Sequence, residues 1–474
     1  MLQLTEHETK WDVDREFVLP DLTDVVAGGH VEYDTIDTVS SYYDTDDGDL
    51  RVHGIVLRRR DGDDDTGWQL SLPGGGTDDL HWPLSDVPPA EVAALLAGVT
   101  GGRQLHNIGT IHTVRHRRRI NATNSDDPIA EIAEDEVRAS TGERLLAWRE
   151  VGVGVDPAAT RQTRELRRLL KKAGAKPTRY PSKLAHLAGT APKPPAALSP
   201  AACAMTSYLN AQIDAVIAGD IALRRGQDPI HDTRVALRRL RSTLRVFTPL
   251  LQADAVGDLE DELKWFAGLL GEVRDCQVQQ RRFTEAVDEL PDVLVLGPVR
   301  ARIRSDLRAI ELPARNEVTT AMDSPRYLDL IARLRAWRIE PPLQADLTEK
   351  RLRTRVRKAG RKADGRLAEA LDAQPGERGA LLHRARKAAK RARYAAELQA
   401  ELPKANDSKR TIKRYKEIQS VLGDHQDTVV ARDMLRRLGA AAGDTAGENG
   451  FTFGMLYARE EQIAEQCSRE VGRL

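Results

Sequence analysis

The sequence predicts a multidomain α+β protein of 474 residues, with a strand-rich N-terminal part and an all-α C-terminal part. Three observations support this prediction. Polar residues alternate as on strands before residue 189, whereas apolar residues recur at helical spacing after residue 200. Four prolines between residues 192 and 200 separate the two patterns. The helical part also repeats itself at an offset of 152 residues, which predicts two similar helical bundles.

The proline-rich segment defines the domain organisation. Because proline cannot continue a helix interior or a central strand, residues 189–200 are predicted to form a semi-rigid linker. The linker separates a strand-rich domain at 1–188 from a helical domain at 201–474. Residues 1–190 contain 23 basic and 32 acidic residues, and residues 191–474 contain 49 and 40. This charge asymmetry predicts different partners for the two domains.

The composition argues against several classes of protein. No run of 18 or more apolar residues and no basic-then-apolar leader occur, so neither a membrane span nor a secretory signal is expected. The cysteines Cys203, Cys276 and Cys467 lie far apart, which disfavours a disulfide framework or a cysteine-built zinc site. We therefore expect a cytoplasmic protein. Aromatic residues make up only 4% of the chain, which disfavours the stacking platforms of single-stranded nucleic-acid binders.

The helical domain contains a basic helix face that occurs twice. On a helix, residues at i, i+3, i+7 and i+10 share one face. The two copies are His231, Arg234, Arg238 and Arg241, and then His383, Arg386, Lys390 and Arg393. Like charges at this spacing repel each other, and guanidinium groups offer bidentate donors to phosphate. The duplication therefore predicts a groove that neutralises a polyanion. A solvated surface is the alternative interpretation.

A second motif pair has the same offset. The segment Leu270-Gly271-Glu272-Val273-Arg274-Asp275 is matched by Leu422-Gly423-Asp424-His425-Gln426-Asp427. Both segments are predicted to be turns, in which the aspartates either cap helices or orient the basic side chains through hydrogen bonds.

Together, the duplicated helices and segments resemble the CHAD domain (conserved histidine α-helical domain) over roughly 200–474. The resemblance implies two pseudo-symmetric helical bundles that enclose a basic groove, and it implies inorganic polyphosphate as the ligand. The polyphosphate-binding residues that it implies are His231, Arg234, Arg238, Arg241, His383, Arg386, Lys390, Arg391 and Arg393. Spacing alone adds Lys387 and Lys413 to this set.

The strand-rich domain has its own charged pattern. Residues two apart point to the same side of a strand, so Glu6, Glu8 and Lys10 share a face, as do Arg58 and Arg60. Carboxylates suit Mg²⁺ or Mn²⁺, and an ammonium group suits phosphate. Several such strands together predict a polar-lined barrel. For any single strand, an ordinary sheet with one solvated face is the alternative.

Several segments of this domain resemble the CYTH family, the triphosphate tunnel metalloenzymes. They are Glu6-x-Glu8-x-Lys10, Tyr42-Tyr43-Asp44-Thr45, Leu57-Arg58-Arg59-Arg60, Asp135 and Ser182-Lys183, in the family's order over roughly 1–190. The resemblance implies an antiparallel β-barrel tunnel with flanking helices. It implies Glu6, Glu8 and Lys10 as catalytic residues, Glu6, Glu8 and Glu150 as ligands of Mg²⁺ or Mn²⁺, and Arg58, Arg60, Arg117 and Lys183 as triphosphate-binding residues.

The chain departs from the CYTH pattern at Gly152 and Gly154, where the family has glutamates, and at Ser71, where it has lysine. Hydrolysis needs ligands for the ion that activates water, so we predict triphosphate binding with weak or lost hydrolysis. An active Mg²⁺- or Mn²⁺-dependent inorganic triphosphatase is the alternative, and nucleic-acid binding through the basic helices is a distant one. The predicted partner is inorganic polyphosphate or triphosphate, without a membrane, in the cytoplasm or at polyphosphate granules.

Overall fold

The computed structural model divides into two compact units, Met1–Pro195 and Ala196–Leu474. The described residues are 9–21, 30–63, 65–73, 79–121, 128–142, 144–155, 160–189, 198–403, 405 and 407–474. Two of the predicted metal ligands, Glu6 and Glu8, lie outside these residues, as does most of the predicted linker.

The first unit is built on one antiparallel sheet. Its strands in the described residues are β1 (Thr9–Val13), β2 (His30–Asp44), β3 (Val56–Asp61), β4 (Gly67–Ser71), β5 (Leu80–Trp82), β6 (His106–Asn121), β7 (Pro128–Thr141), β8 (Arg144–Val155) and β9 (Lys176–Pro177). They pair in the order β5-β4-β3-β2-β6-β7-β8-β1-β9, with every pairing antiparallel. The predicted antiparallel fold of this unit is confirmed.

Short helices flank the sheet, as expected. They are α1 (Asp49–Val52), α2 (Ala90–Leu95), α3 (Ala97–Thr100), α4 (Thr160–Lys172) and α5 (Lys183–Ala188). The side chains of Val151 and Val153 in β8 pack in one core with Leu166 and Leu170 of α4. Because side chains alternate along a strand, the residues between these valines lie on the opposite, polar face of the sheet.

The second unit is helical throughout, as predicted. Its helices are α6 (Pro200–Arg224), α7 (Ile230–Phe247), α8 (Ala253–Val256), α9 (Leu259–Asp288), α10 (Val299–Met322), α11 (Pro325–Ile339), α12 (Glu349–Leu371), α13 (Pro375–Ala400), α14 (Ser408–Gly443) and α15 (Phe451–Val471), with 3₁₀ turns at Thr248–Leu250 and Asp292–Leu294. Pro200, which we assigned to the linker, is the first residue of α6. Proline fits there because the first helical N–H has no partner within the helix, and Ser199 Oγ caps the helix by accepting from Ala202 N.

The offset of 152 residues relates α6, α7, α9 and α10 to α12, α13, α14 and α15. The predicted pair of similar bundles is therefore confirmed. Phe283 and Ile303 of the first half share a core with Leu435 and Phe453 of the second. Helix α13 packs against α12, α14 and α7, so the two basic faces lie on neighbouring helices. Among the helices of the described residues, none combines the length and the hydropathy of a membrane span.

Candidate functional site

The two basic faces meet where α7 packs against α13. Arg234 and Arg238 come from α7, and their equivalents at the offset, Arg386 and Lys390, come from α13. All four side chains are partly buried. Burial, together with the positive charges of Arg386, Arg238 and Arg234, lowers the pKa of Lys390 to about 7. Positive charge is therefore in excess at this helix contact.

Burial and the same excess of positive charge lower the pKa of Arg238. Burial is the largest cause that lowers the pKa of its guanidinium, and the charges of Arg234 and Arg386 act in the same direction. Tyr394 opposes this shift through its hydrogen bond with Arg238. The buried Nε atoms of Arg238 and Arg386 have no hydrogen-bond partner among the described residues. Such donors are suited to the oxygen atoms of an anion, because buried polar groups without partners are costly.

Two glycines make room for Arg234 and Arg386, which we call the outer arginines of the cluster. A Cβ atom at Gly271 of α9 would lie 2.9 Å from Arg234 Nη2. A Cβ atom at Gly423 of α14 would lie 3.1 Å from Arg386 Nη2. Each guanidinium therefore passes so close to the neighbouring helix that a larger residue would displace it. This close approach explains why glycine occurs at the same place in both copies of the motif.

The aspartates of the same motif orient the arginines. Arg234 Nη1 lies 3.1 Å from Asp275 Oδ1, and Arg386 Nη2 lies 3.9 Å from Asp427 Oδ1. Both aspartates lie inside long helices, so the prediction that these segments are turns is wrong. The helices continue because a glycine inside a helix costs only about 1 kcal/mol relative to alanine. Neither aspartate caps a helix, and the hydrogen bond from Arg234 Nη1 to Asp275 Oδ1 supports the interpretation of orientation in the first copy.

The two predicted histidines lie beside the cationic cluster. Burial, followed by the charge of Arg274, lowers the pKa of His231 from 6.5. Burial, followed by the charges of Lys387 and Arg386, lowers the pKa of His383 in the same way. Both imidazoles are therefore mostly neutral at pH 7 and act there as hydrogen-bonding groups rather than as cations.

Carboxylates bind two of the predicted site residues further along the helices. Arg241 Nε donates to Glu260 Oε1 at 3.0 Å. Arg393 Nε donates to Glu397 Oε1 at 2.9 Å. Glu260 also binds Arg245 and Glu397 also binds Arg239, so each carboxylate offsets one of two arginine charges.

The remaining predicted residues of the helical unit are Arg391, Lys387 and Lys413. Arg391 is partly buried, and burial followed by the charge of Arg245 lowers the pKa of its guanidinium. Lys387 is exposed on α13 close enough to His383 to affect its pKa, and Lys413 is exposed on α14. The helix contact thus brings together Arg234, Arg238, Arg386 and Lys390, with His231, His383 and Lys387 beside them.

Sequence reasoning missed two residues of α13 that contact the basic faces. The guanidinium carbon of Arg239 lies 5.5 Å from the ring centroid of Tyr394. Arg239 Nε also donates to Glu397 Oε2 at 3.0 Å. The residues equivalent to Tyr394 and Glu397 in the first repeat are Ser242 and Arg245. A comparison of the two repeats could not find them, because neither residue is duplicated.

In the first unit, strand register brings the predicted tunnel residues to one face. Cross-strand partners point to the same side of a sheet. Lys10 pairs with Gly152, Gly152 with Ala133, and Ala133 with Arg117. By the same register and parity, this polar face carries Lys10, Arg58, Arg60, Arg115, Arg117, Arg119, Asp135 and Glu150.

The predicted triphosphate-binding residues on or above this face have protein partners. The nitrogen–oxygen pairs are Arg58–Gln69 at 2.6 Å, Arg60–Asp63 at 2.9 Å, Arg117–Asp34 at 2.9 Å and Lys183–Asp135 at 2.6 Å. A triphosphate that binds here must therefore compete with internal hydrogen bonds and ion pairs.

Lys183 is the centre of a buried ion cluster. Its Nζ atom lies 2.6 Å from Asp135 Oδ2 and 2.8 Å from Glu150 Oε1. Arg115 donates to both carboxylate oxygens of Asp135, at 2.8 and 2.9 Å. Burial opposes the ionisation of Asp135, but the hydrogen bond from Arg115 and the charge of Lys183 hold its pKa below the ordinary value. Asp135 and Glu150 likewise raise the pKa of Lys183 against the effect of burial.

Of the three metal ligands that the CYTH resemblance implies, only Glu150 lies in the described part of the chain, and its side chain contacts other residues. Both carboxylate oxygens of Glu150 have partners, since Oε1 contacts Lys183 and Oε2 accepts from Trp148 Nε1 at 2.9 Å. Further along β8, Gly152 and Gly154 provide no side-chain ligand on the same face. No group of three or more histidine, cysteine or acidic side chains in the described part of the chain is arranged to hold a metal ion.

Glu131 is the carboxylate that lies opposite Gly154 across the β7–β8 pair. Its side chain lies 3.6 Å from Arg119 and 3.9 Å from Arg117. Glu131 thus restores a carboxylate to the polar face near a glycine position, but this carboxylate is neutralised by arginines as well.

Comparison with known proteins agrees with this architecture of a sheet unit followed by a CHAD-type helical unit. The family model of the CHAD domain matches residues 207–436. Two uncharacterized proteins of Mycobacterium tuberculosis, Rv2226 of strain H37Rv and MT2285 of strain CDC 1551, are each 32% identical to the chain over 497 residues. Each alignment covers 98% of this chain and 94% of the relative. The chain belongs to the same protein family as these relatives, and its helical unit contains a CHAD domain.

Three solved structures show partial similarity. PptA from Streptomyces chartreusis is 21% identical, with a TM-score of 0.48, over 57% of this chain and 97% of that protein. The CHAD domain from the plant Ricinus communis is 25% identical, with a TM-score of 0.47, over 60% and 98%. HpAC1 from Hippeastrum, for which a dominant triphosphatase activity is described, is 20% identical, with a TM-score of 0.26, over 40% and 97%. Because these scores are below 0.5, family membership follows from the family model and the full-length relatives. The predicted CHAD domain is confirmed, and the first unit has the antiparallel sheet expected of a CYTH domain.

The Lys183 cluster yields a stability prediction. We expect Lys183→Met to lower the local opening free energy of β7 and β8 by about 3 kcal/mol at pH 7, because it leaves buried carboxylates without one of their cations. The deficit should shrink as the pH falls below the ordinary pKa of an aspartate, because Asp135, whose pKa is held low by Arg115 and Lys183, then takes up a proton. Hydrogen exchange of peptides from these strands measures the effect. The control is Lys172→Met, which removes an exposed charge of α4; equal effects of the two substitutions would contradict the prediction.

Proposed function

We propose that the helical unit binds inorganic polyphosphate in the groove between α7 and α13, and that the sheet unit binds phosphate groups with weak or lost hydrolysis. The observation that carries the proposal is the excess positive charge of Arg234, Arg238, Arg386 and Lys390. Like charges at one helix contact destabilise the free protein, and a polyanion would relieve that repulsion.

The arrangement of these cations favours a polymer with repeated anionic groups. Each half of the unit contributes an outer arginine held by an aspartate and an inner cation at the helix contact. A chain of identical phosphoryl groups presents the same chemistry to both halves, which suits a pseudo-symmetric site. Guanidinium groups remain charged and bind phosphate oxygens in a bidentate manner, so three arginines among four cations fit this ligand.

The sheet unit is proposed to contribute less than the helical unit to the affinity for phosphate. Its predicted triphosphate-binding residues form hydrogen bonds and ion pairs within the protein, so an incoming phosphate exchanges one interaction for another. Glu150 is held by Lys183 and Trp148. We therefore derive no hydrolytic step through a metal ion from the residues described here.

Binding to long-chain polyphosphate tests the proposal in the full-length chain. Arg234→Gln should lower the affinity by about tenfold or more, because it removes a charged hydrogen-bonding group. Gly271→Ala should also lower the affinity, although it changes no charge, because the added Cβ atom displaces the Arg234 guanidinium. Alanine also favours the helix, so the thermal stability of this variant should be retained. Isothermal titration and thermal unfolding measure the two effects.

The matched control is Arg436→Gln, which removes an exposed charge from α14. An equal loss in this variant would mean that net charge alone attracts the polymer, and the groove would not be the site. Two further results would overturn the proposal: binding no tighter than that of sulfate at equal charge, or displacement of polyphosphate by duplex DNA. The second result would favour the nucleic-acid interpretation.

The pKa of Lys390 predicts a pH dependence of binding. In the free protein this lysine loses its proton as the pH rises through about 7. A polyanion favours the protonated form, so the affinity should fall between pH 7 and 9, by up to about tenfold per pH unit, and binding should take up protons. His231 and His383 contribute little in this range, because their pKa values are lowered below 6.5.

Lys390→Arg is the matched variant. It introduces the residue type found at the equivalent position, Arg238, and the guanidinium stays charged throughout this pH range. Its affinity should be nearly independent of pH between 7 and 9. A flat profile in the unmodified protein, or the same slope in both proteins, would contradict the assignment to Lys390.

An assay of phosphate release from inorganic triphosphate tests whether the protein hydrolyses this ligand or only binds it. With Mg²⁺ or Mn²⁺ we expect no turnover above a metal-free blank, because Gly152 and Gly154 supply no ligands and Glu150 contacts Lys183. Turnover that disappears in Glu6→Ala would overturn this expectation and establish the alternative, an inorganic triphosphatase. Binding of triphosphate is measured in parallel, so that loss of catalysis is distinguished from loss of affinity.

A further inference from the structure

A second cationic pocket lies between α7, α12 and α13. It has a volume of about 370 Å³, and small apolar residues form part of its wall. The cations that line it are Arg245 of α7, Arg355, Lys358 and Lys362 of α12, and Arg391 of α13. Of these, only Arg391 belongs to the polyphosphate-binding set predicted from the sequence.

Most of this charge is not compensated within the protein. In the described part of the chain, Arg355, Lys358, Lys362 and Arg391 form no ion pair with a carboxylate; Arg355 Nε donates instead to the carbonyl oxygen of Val246 at 2.7 Å. Arg245 differs from the others, because its Nη2 donates to Glu260 Oε2 at 2.9 Å. Glu260 itself does not line the pocket and also binds Arg241. The positive charge of the pocket therefore exceeds what its surroundings neutralise.

The first repeat shows that the fold does not require these charges. At the offset of 152 residues, the positions equivalent to Arg355, Lys358 and Lys362 are Cys203, Thr206 and Asn210 of α6, which are neutral.

The residues of α7 and α13 that line the pocket also carry more positive charge than their equivalents in the other repeat. The equivalent of Arg391 is Arg239, which is bound to Glu397, and Glu397 is itself the equivalent of Arg245. The five positions equivalent to the pocket cations thus carry one cation and one carboxylate, which bind each other, whereas the pocket itself carries five cations. Packing alone does not explain the difference, and an anionic ligand does.

We propose that this pocket is a second anion site, which binds a short run of condensed phosphoryl groups. The five lining cations suit several phosphate oxygens, and the volume exceeds the space of a single water by about tenfold. The phosphoryl groups can come from the end of a polyphosphate chain or from a free short condensed phosphate. The site uses ligand chemistry like that of the proposed function, but it does not depend on Arg234, Arg238, Arg386 or Lys390.

Tripolyphosphate is the probe, titrated into the full-length chain. Lys358→Gln/Lys362→Gln should abolish the protection from hydrogen exchange that tripolyphosphate confers on α12, or raise the concentration needed for that protection by about tenfold or more. Protection of α12 is the readout, because the sheet unit is proposed to bind the same ligand. Both lysines are exposed and glutamine is a good helix former, so the variant should fold. The matched control is Arg357→Gln/Arg361→Gln, which removes two exposed charges at the same spacing from the same helix outside the pocket.

The pocket is rejected if the two double variants lose protection of α12 equally, or if Lys358→Gln/Lys362→Gln shows this protection at the ligand concentration that suffices in wild type. Arg234→Gln separates the two proposals. If the groove does not bind polyphosphate but the pocket binds its ligand, tripolyphosphate still protects α12 in wild type and in Arg234→Gln.

Long-chain polyphosphate identifies the source of the phosphoryl groups. A chain end is indicated if Lys358→Gln/Lys362→Gln also weakens polymer binding, and a free ligand if tripolyphosphate still binds to the polymer-saturated protein.

Discussion

The packing of α7 against α13 is the constraint on which the helical unit depends, because it forces like charges together. Arg238 and Lys390 occupy equivalent positions in the two repeats, so a pseudo-symmetric helix contact brings both near its centre. The lowered pKa of Lys390 expresses the cost of that arrangement. Apolar burial elsewhere offsets the cost: side chains such as Phe283 and Phe453 lie in a core shared by both halves, and each stabilises the fold by about 1.5–3 kcal/mol.

The unit holds its cations in place by two different means. Around the central cluster, a glycine makes room for each outer guanidinium, and an aspartate one turn further along the helix orients it. Away from the cluster, Glu260 binds Arg241 and Arg245, and Glu397 binds Arg239 and Arg393, so each carboxylate offsets one of two positive charges. In the cluster, Arg238 and Lys390 form no ion pair with a carboxylate in the described part of the chain, whereas each of the four arginines away from it has a carboxylate partner. The positions of only a few carboxylates therefore decide which part of a continuous basic surface remains available to an anion.

Local and repeated patterns explain what could be predicted from the sequence. Helical spacing and the constant offset predicted the two basic faces, and strand parity predicted that Arg58 and Arg60 share a face. Charge compensation could not be predicted, because the partners are remote in sequence: Arg239 binds Glu397 and Lys183 binds Asp135 only after the chain has folded. The glycine motif was recognised, but its placement in turns was wrong, because glycine also occurs inside a helix where a side chain must pass close by.

The two units differ in how far their cationic side chains are paired with carboxylates, and this difference affects how each unit can bind an anion. In the sheet unit, Lys183 and Arg117 are bound to carboxylates, so an anion gains attraction only by breaking an existing ion pair. At the contact of α7 with α13, repulsion among the cations is already present, so an anion there would gain attraction and relieve repulsion at once. The two repeats also differ in charge, because Arg355, Lys358 and Lys362 form no ion pair in the described part of the chain, whereas their equivalents Cys203, Thr206 and Asn210 are neutral. The proposed second anion site thus differs from its pseudo-symmetric equivalent by the charge of a few side chains.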